Sequence, residues 1–292
     1  MTPSVAQAVS LQSRESSRLF FVCARIALFL LTAAALTGQS FFIQLSDPQF
    51  GAFTADRDFV QETANYEFAV ANVNRLHPQF VVICGDLINK TGDPAQTAEY
   101  FRITAKIDKS IPVYAVPGNH DVGNDPTPES LAYYREHWGP DYYSFRQGEI
   151  YGIVLNASLI SAPAKAQAEA DKQESWLKTE LAKAKASGAR HIVVFQHQSW
   201  FLESPTEPAQ YFNIPLEQRK RYLDLLKESG VRYVFAGHYH RNAFGKDGNL
   251  EMITSGPVGR PLGNDPSGIR IVKVLENGLE HRYFTFGEIP NR

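Results

Sequence analysis

The stretch Phe41-Phe42-Ile43-Gln44-Leu45-Ser46-Asp47-Pro48-Gln49 sets the reading of the whole chain. Its first five residues, mostly aromatic or aliphatic, have the composition of a short buried strand. That strand runs into a polar cluster interrupted by proline. The same pattern recurs four times downstream. Residues 80–84 lead into Gly85-Asp86, and residues 113–116 into Gly118-Asn119-His120-Asp121. Residues 191–196 lead into His197, and residues 234–236 into Gly237-His238-Tyr239-His240. In open α/β sheets the carboxyl ends of strands line the ligand crevice. Five such arrivals would gather Asp47, Gln49, Asp86, Asn119, His197, His238 and His240, all of metal-ligand type. Singly, each residue has an ordinary reading: an aspartate after a strand caps or turns the chain, and a lone histidine is a hydrogen-bonded core or surface group. Their recurrence after successive strands, with His238 and His240 on one side of an extended segment, points instead to a metal site.

Strands are predicted over residues 41–45, 80–84, 113–116, 150–155, 191–196, 232–236, 251–254, 269–275 and 281–286. Helical spacing covers residues 58–76, 94–109, 167–187 and 216–229, the last two stopping at Gly188 and Gly230. Strand–helix alternation in the first two-thirds predicts βαβ units and a parallel or mixed sheet. The strand-rich last third predicts a second, largely antiparallel sheet. No Pro/Gly/Ser linker intervenes, so residues 41–286 read as one domain.

Composition bounds the function. With 43% hydrophobic and 21% charged residues among 292, the chain can build one large core and is not a disordered polymer. A formal net charge of −2 argues against a protein devoted to neutralising nucleic-acid phosphate, so no nucleic-acid partner is expected. Arg14, Arg18 and Arg25 precede an apolar run over residues 26–36, followed by small and polar residues up to Ser40. That is the layout of an export signal, and it falls short of the roughly 20 apolar residues of a membrane span. Residues 1–40 are therefore expected to be a cleaved signal peptide, with an uncleaved N-terminal anchor, a mis-assigned start codon or a buried helix as alternatives, and residues 41–292 to be the functional domain. Secretion or periplasmic location follows from the first reading, membrane anchoring from the second; no stable membrane span is expected once a signal is removed. Cys84, in an apolar strand, reads as an inert buried thiol. Asn89-Lys90-Thr91 and Asn156-Ala157-Ser158 fit the glycosylation acceptor pattern.

The series Asp47-Pro48-Gln49, Gly85-Asp86, Gly118-Asn119-His120-Asp121, His197 and Gly237-His238-Tyr239-His240 resembles the calcineurin-like metallophosphoesterase family, over essentially all of residues 41–286. Further stretches are similar to the branch described as serine/threonine phosphatases: Asp47-Pro48-Gln49-Phe50-Gly51, Phe201-Leu202-Glu203-Ser204, Gly237-His238-Tyr239-His240-Arg241-Asn242 and Asp265-Pro266-Ser267-Gly268-Ile269-Arg270. The resemblance implies an α/β fold, a four-layer αββα sandwich of two mixed sheets flanked by helices. It implies a two-metal site in which Asp47, Gln49, Asp86 and His240 hold one ion. Asp86 would bridge to a second ion, completed by Asn119, His197 and His238. Two aspartates and a bridging hydroxide would leave about +1 on a pair of divalent ions, which suits an incoming phosphate.

The expected reaction is hydrolysis of a phosphomonoester, on a small molecule or a phosphoprotein, by a metal-bridging hydroxide. A phosphodiesterase acting on nucleotides or lipid head groups is the alternative, and a metal-binding interaction protein without turnover is a third reading. His120, directly after Asn119, would face the leaving group as general acid or transition-state donor. Asp121 would either orient it or simply cap the loop. Asn119, His120 and Arg260 are candidate substrate contacts, Arg260 because a guanidinium suits phosphate, although a solvent-facing role is the commoner one for an arginine on a glycine-rich loop. Trp200, Phe201, Tyr211 and Phe212 either wall the cleft or pack a flap. Much of the family has Asp-x-His at the first motif, whereas Gln49 offers a neutral carbonyl oxygen or merely holds a coordinated water. A site with one fewer nitrogen favours Mn²⁺, with Mg²⁺, Fe or Zn as other candidates.

Overall fold

The computed structural model describes residues 40–291; the expected leader lies outside them, apart from Ser40. In chain order the elements are β1 (Phe41–Leu45), α1 (Val60–Leu76), β2 (Val81–Cys84), α2 (Pro94–Thr104), β3 (Val113–Val116), α3 (Asn119–Val122) and α4 (Pro128–His137). There follow β4 (Tyr143–Gln147), β5 (Ile150–Val154), α5 (Ala157–Ser161), α6 (Gln167–Ala186), β6 (His191–Phe195), α7 (Leu216–Glu228) and β7 (Tyr233–Ala236). The last four strands are β8 (Ala243–Asp247), β9 (Leu250–Thr254), β10 (Gly268–Val274) and β11 (Leu279–Thr285).

Local chemistry explains the boundaries. Pro94 opens α2 behind Asp93, whose carboxylate accepts the Ala95 and Gln96 amides. Helices α6 and α7 end just before Gly188 (φ +68°) and Gly230 (φ +86°), where glycine relieves the left-handed turn.

Two mixed sheets face each other. The first has the order β11-β10-β1-β2-β3, with β1, β2 and β3 parallel and β10 antiparallel to β1. The second has the order β4-β5-β6-β7-β9-β8. The last third therefore does not form a sheet of its own. Strands β8 and β9 extend the second sheet, while the β10–β11 hairpin returns to the edge of β1. Periodicity identifies a strand but not its neighbour, and the partition of strands between sheets is a tertiary outcome.

Alternation along each strand assigns the layers. Ile43, Leu45, Val81 and Ile83 face outward onto α1 and α2, in a cluster with Tyr66, Val70, Tyr100 and Ile103. Phe42, Phe80, Val82 and Cys84 face inward against Val193, Phe195, Phe235 and Ile253 of the second sheet. Ile192, Val194 and Val234 point the other way, onto Leu177 and Leu181 of α6 and Leu223 and Leu226 of α7. The result is the expected four-layer sandwich. Phe42 stacks on Phe80 at 4.6 Å and meets Phe195 and Phe235 edge-on at 5.8 and 5.5 Å, so aromatic packing joins the sheets. Gln44 bridges them through polar contacts, donating to Ala236 O (2.9 Å) and accepting from Ser255 Oγ (2.6 Å).

Cys84 is fully buried, and burial raises its thiol pKa well above the usual range. Asn156 is also fully buried, capping α5 through Leu159 N and donating to Asp141, which removes that position as a glycan acceptor. Among the described residues, no helix is long and apolar enough to cross a membrane.

Candidate metal centre

All seven predicted ligands closely follow β1, β2, β3, β6 and β7, six in turns and Asn119 as the first residue of α3, and none is more than 5% exposed. The backbone is bent to present them. Asp47, Gln49, Asp86, His238 and His240 have φ between +39° and +68°, in the left-handed region. That conformation costs about 1–2 kcal/mol per non-glycine residue and persists only where surrounding structure enforces it. Here the turns are laced together: Asp47 N donates to Gly85 O (3.1 Å), Gln49 N to Asp86 O (2.9 Å) and Gly237 N to His197 O (3.0 Å). Two glycines are sterically required. A β-carbon on Gly85, itself at φ +81°, would strike the His197 ring; one on Gly237 would strike Ser46 Oγ and crowd the Asp47 carboxylate.

The ligand atoms fall into two groups, each within 4.8 Å: Asp47, Asp86 and His240, and Asp86, His197 and His238. Asp86 belongs to both. In the first group His240 Nε2 is 3.3 Å from Asp47 Oδ1. In the second, His197 Nε2 is 3.1 Å from Asp86 Oδ2, 3.2 Å from His238 Nδ1 and 3.1 Å from Asn119 Oδ1.

Each imidazole has one nitrogen committed to a backbone carbonyl: His197 Nδ1 to Cys84 O (2.8 Å), His238 Nε2 to Tyr211 O (3.0 Å) and His240 Nδ1 to Arg260 O (2.5 Å). Those bonds place a proton outward and aim the other nitrogen's lone pair into the crevice, as metal-ligating histidines require. Gln49 Nε2 donates to Asn89 Oδ1 (3.1 Å), while its buried Oε1 has no partner among the described residues. A buried carbonyl oxygen without a donor is costly, and a cation is the group that would satisfy it. Converging lone pairs, two carboxylates and an orphaned amide oxygen fit a pair of divalent ions.

Electrostatics agree. Burial raises the Asp47 pKa, with His240 and His197 offsetting it only in part. Burial also opposes ionisation of Asp86, but the adjacent His197 overrides it and holds the carboxyl well below the usual range. His197 in turn is pushed up to about 9, Asp86 and Asp47 outweighing its own desolvation. Burial and the neighbouring His197 push His238 down to about 3, which keeps its lone pair free. A proton on His197 occupies the position an ion would take.

The remaining predicted residues divide. His120 lines the crevice with Gln49, Asp86, His238, His240 and Arg260, around a cavity of about 130 Å³. Its amide donates to Asp86 Oδ1 (2.9 Å), and its Nδ1 is held by Asn89 O (2.5 Å). Asp121 is not its orienting partner, a correction to that reading. The Asp121 carboxylate is consumed by the amides of Gly118 (2.7 Å), Leu87 (3.0 Å) and Ile88 (3.3 Å), so it caps the loop. Burial and the nearby Asp86 push its pKa up to about 7. Arg260 donates to Ala52 O (2.9 Å) at the rim. The four aromatics split: Trp200 and Phe201 are core, whereas Tyr211 and Phe212 wall the cleft. Sequence reasoning missed the supporting carbonyls of Cys84, Asn89, Tyr211 and Arg260. Any residue type supplies a carbonyl, so these left no signal.

Residues 42–242 match the family described as calcineurin-like phosphoesterase. The chain is 40% identical over 270 residues to a Bos taurus protein named serine/threonine-protein phosphatase CPPED1, covering 87% of this chain and 86% of that one. The Homo sapiens protein of the same name is 39% identical over 271 residues, covering 87% and 86%. Among solved structures, a dimetal phosphatase from Danio rerio superposes with a TM-score of 0.62 at 15% identity, covering 86% of this chain and 97% of that one, a likeness of fold. The chain belongs to the calcineurin-like phosphoesterase family. Its family and clustered ligands are those of a hydrolase acting on phosphoric esters with the help of metal ions.

Proposed function

We propose that this protein is a phosphomonoesterase with a dinuclear centre, acting on phosphoserine- or phosphothreonine-bearing protein or a comparable small ester. The observation that supports it most is Asp86, shared by both ligand groups and therefore placed to bridge two ions. Two divalent ions bound there would supply Lewis acidity toward the phosphoryl oxygens and lower the pKa of water toward neutrality. Asp47, Gln49 and His240 would hold the first ion with Asp86; Asn119, His197 and His238 would complete the second.

The chain's own groups do the rest. His120 is anchored through Nδ1 on Asn89 O, which leaves Nε2 to deliver a proton to the departing oxygen. Arg260, fixed at the rim by Ala52 O, adds positive charge where a monoester dianion enters. The cavity is of a size for a phosphoryl group, so the rest of the substrate stays at the mouth, as a phosphoprotein requires. The phosphoprotein class is also supported by the name of the relatives, serine/threonine-protein phosphatase. Mn²⁺ is the favoured ion, on the oxygen-rich donor set that Gln49 creates.

The test is a metal-reconstitution assay on the full chain with nitrophenyl phosphate and bis-nitrophenyl phosphate. Mn²⁺-dependent turnover favouring the monoester is expected; a clear diester preference overturns the substrate class. His120→Ala should lower kcat by about 10²–10⁴ while the protein still binds two ions. Unchanged turnover would remove His120 from the chemistry. Export through a cleaved leader is proposed from Arg14, Arg18, Arg25 and the apolar run alone. N-terminal sequencing of the protein from its source decides it, and an intact Met1 would sink it.

A further inference from the structure

Tyr211 lies on the loop between β6 and α7, outside every motif that marks the centre. It is 60% exposed, so its ring is not spent on the core. Yet it touches two ligands of the second subsite. Its carbonyl accepts the His238 Nε2 proton at 3.0 Å, and its ring packs against the same imidazole, centroids 4.9 Å apart. Its phenol oxygen accepts from Asn119 Nδ2 at 3.3 Å. The other Asn119 amide hydrogen goes to Asn124 Oδ1 at 3.1 Å. With both hydrogens engaged, Asn119 Oδ1 has one direction left, toward His197 Nε2 and the ion position. The side chains of His240 and Gln49 are held from elsewhere: His240 leans on Arg260 O and Gln49 on Asn89.

The loop is built to hold that position. Glu207 accepts the amides of Leu202 (2.8 Å), Glu203 (2.9 Å) and Ser204 (3.0 Å), and Asn213 Nδ2 (2.7 Å). Arg219, 1% exposed, directs its guanidinium to the carbonyls of Ile214 (2.9 Å), Glu207 (2.7 Å) and Pro205 (3.1 Å). A buried guanidinium spent on loop carbonyls, with no carboxylate as its hydrogen-bond partner, fixes backbone geometry.

We propose that Tyr211 is a positioning residue for the second metal subsite alone, acting through His238 and Asn119, with Arg219 locking the loop that delivers it. The inference rests on the dinuclear reading. Partners of metal ligands typically change metal affinity by about 10–100-fold.

The test is titration of the metal-free full chain with Mn²⁺, counting bound ions and their spin coupling by electron paramagnetic resonance. Wild type should bind two coupled ions. Tyr211→Phe, which removes only the hydroxyl that accepts from Asn119, should leave the first ion's affinity unchanged and weaken the second about tenfold, at an unchanged metal-free melting temperature. Arg219→Lys should weaken the second ion further and spare the first. Wild-type affinity for both ions in Tyr211→Phe, or equal weakening of both, overturns the proposal. A wild type that binds a single ion instead overturns the dinuclear reading, and the proposal with it.

Discussion

Gln49 sits in the left-handed region at φ +39°, donates its amide hydrogen to Asn89 and leaves Oε1 buried without a partner among the described residues. The strain and the orphaned oxygen are both accounted for if Oε1 is a ligand. Replacing it by histidine exchanges a hard neutral oxygen for an imidazole nitrogen. Gln49→His should then raise the Zn²⁺-to-Mn²⁺ affinity ratio of the first subsite on the order of tenfold, read by chelator competition. An unchanged ratio would mean that residue 49 does not ligate. The motif residues themselves were legible because metal chemistry accepts few residue types. Asp121 was ambiguous for the converse reason: a carboxylate serves as cap, ligand or orienter alike, and only its three amide donors reveal which.

At the scale of elements, the turns after the strands carry the precision of the site. Gly85 joins β2 to Asp86 at φ +81°, beneath the His197 ring. Gly85→Ala meets both a backbone penalty of about 1–2 kcal/mol and overpacking of about 1–3 kcal/mol. It should destabilise the fold by about 2–5 kcal/mol in denaturant titrations, the sum of the two effects. Gly188, at φ +68° with open space around it, is the control: Gly188→Ala should cost only the backbone part, about 1–2 kcal/mol. Equal losses would remove the His197 contact as a cause. Two strands escaped the sequence reading. Both β4 and β8 are edge strands of mixed polarity, joined to β5 and β9 by the two-residue turns Gly148-Glu149 and Gly248-Asn249. Their edge position removes the apolar alternation that marks a buried strand, and the glycine turns were the usable signal.

For the molecule as a whole, the centre is a clamp between sheets. Asp47 and Asp86 of one ligand group come from the first sheet and His240 from the second, while Asp86 of the other group comes from the first and His197 and His238 from the second; on the proposed reading Gln49 and Asn119, both following strands of the first sheet, would complete them. Ions bound there stabilise the native state by mass action, about 2.7 kcal/mol for a site at a hundredfold excess over its Kd. Chelation should therefore lower the melting temperature. It should also raise hydrogen exchange in the turns around Asp86, Asn119, His197 and His238, while the aromatic layer around Phe42 and Phe195 stays protected. An unchanged melting temperature, or uniform loosening, would contradict the clamp.

The sequence by itself determined the layers and the inventory of the site. Alternation along strands assigns inner and outer faces, and the scarcity of residue types able to hold a divalent ion makes Asp47, Asp86, Asn119, His197, His238 and His240 conspicuous. Only the tertiary structure decided which strands share a sheet, that Asp86 stands between both ligand groups, that Asp121 is a cap, and that Tyr211 leans on the second subsite. Those outcomes depend on backbone carbonyls and amides brought together across more than a hundred residues of chain, as His197 meets Cys84, and such groups are identical in every residue.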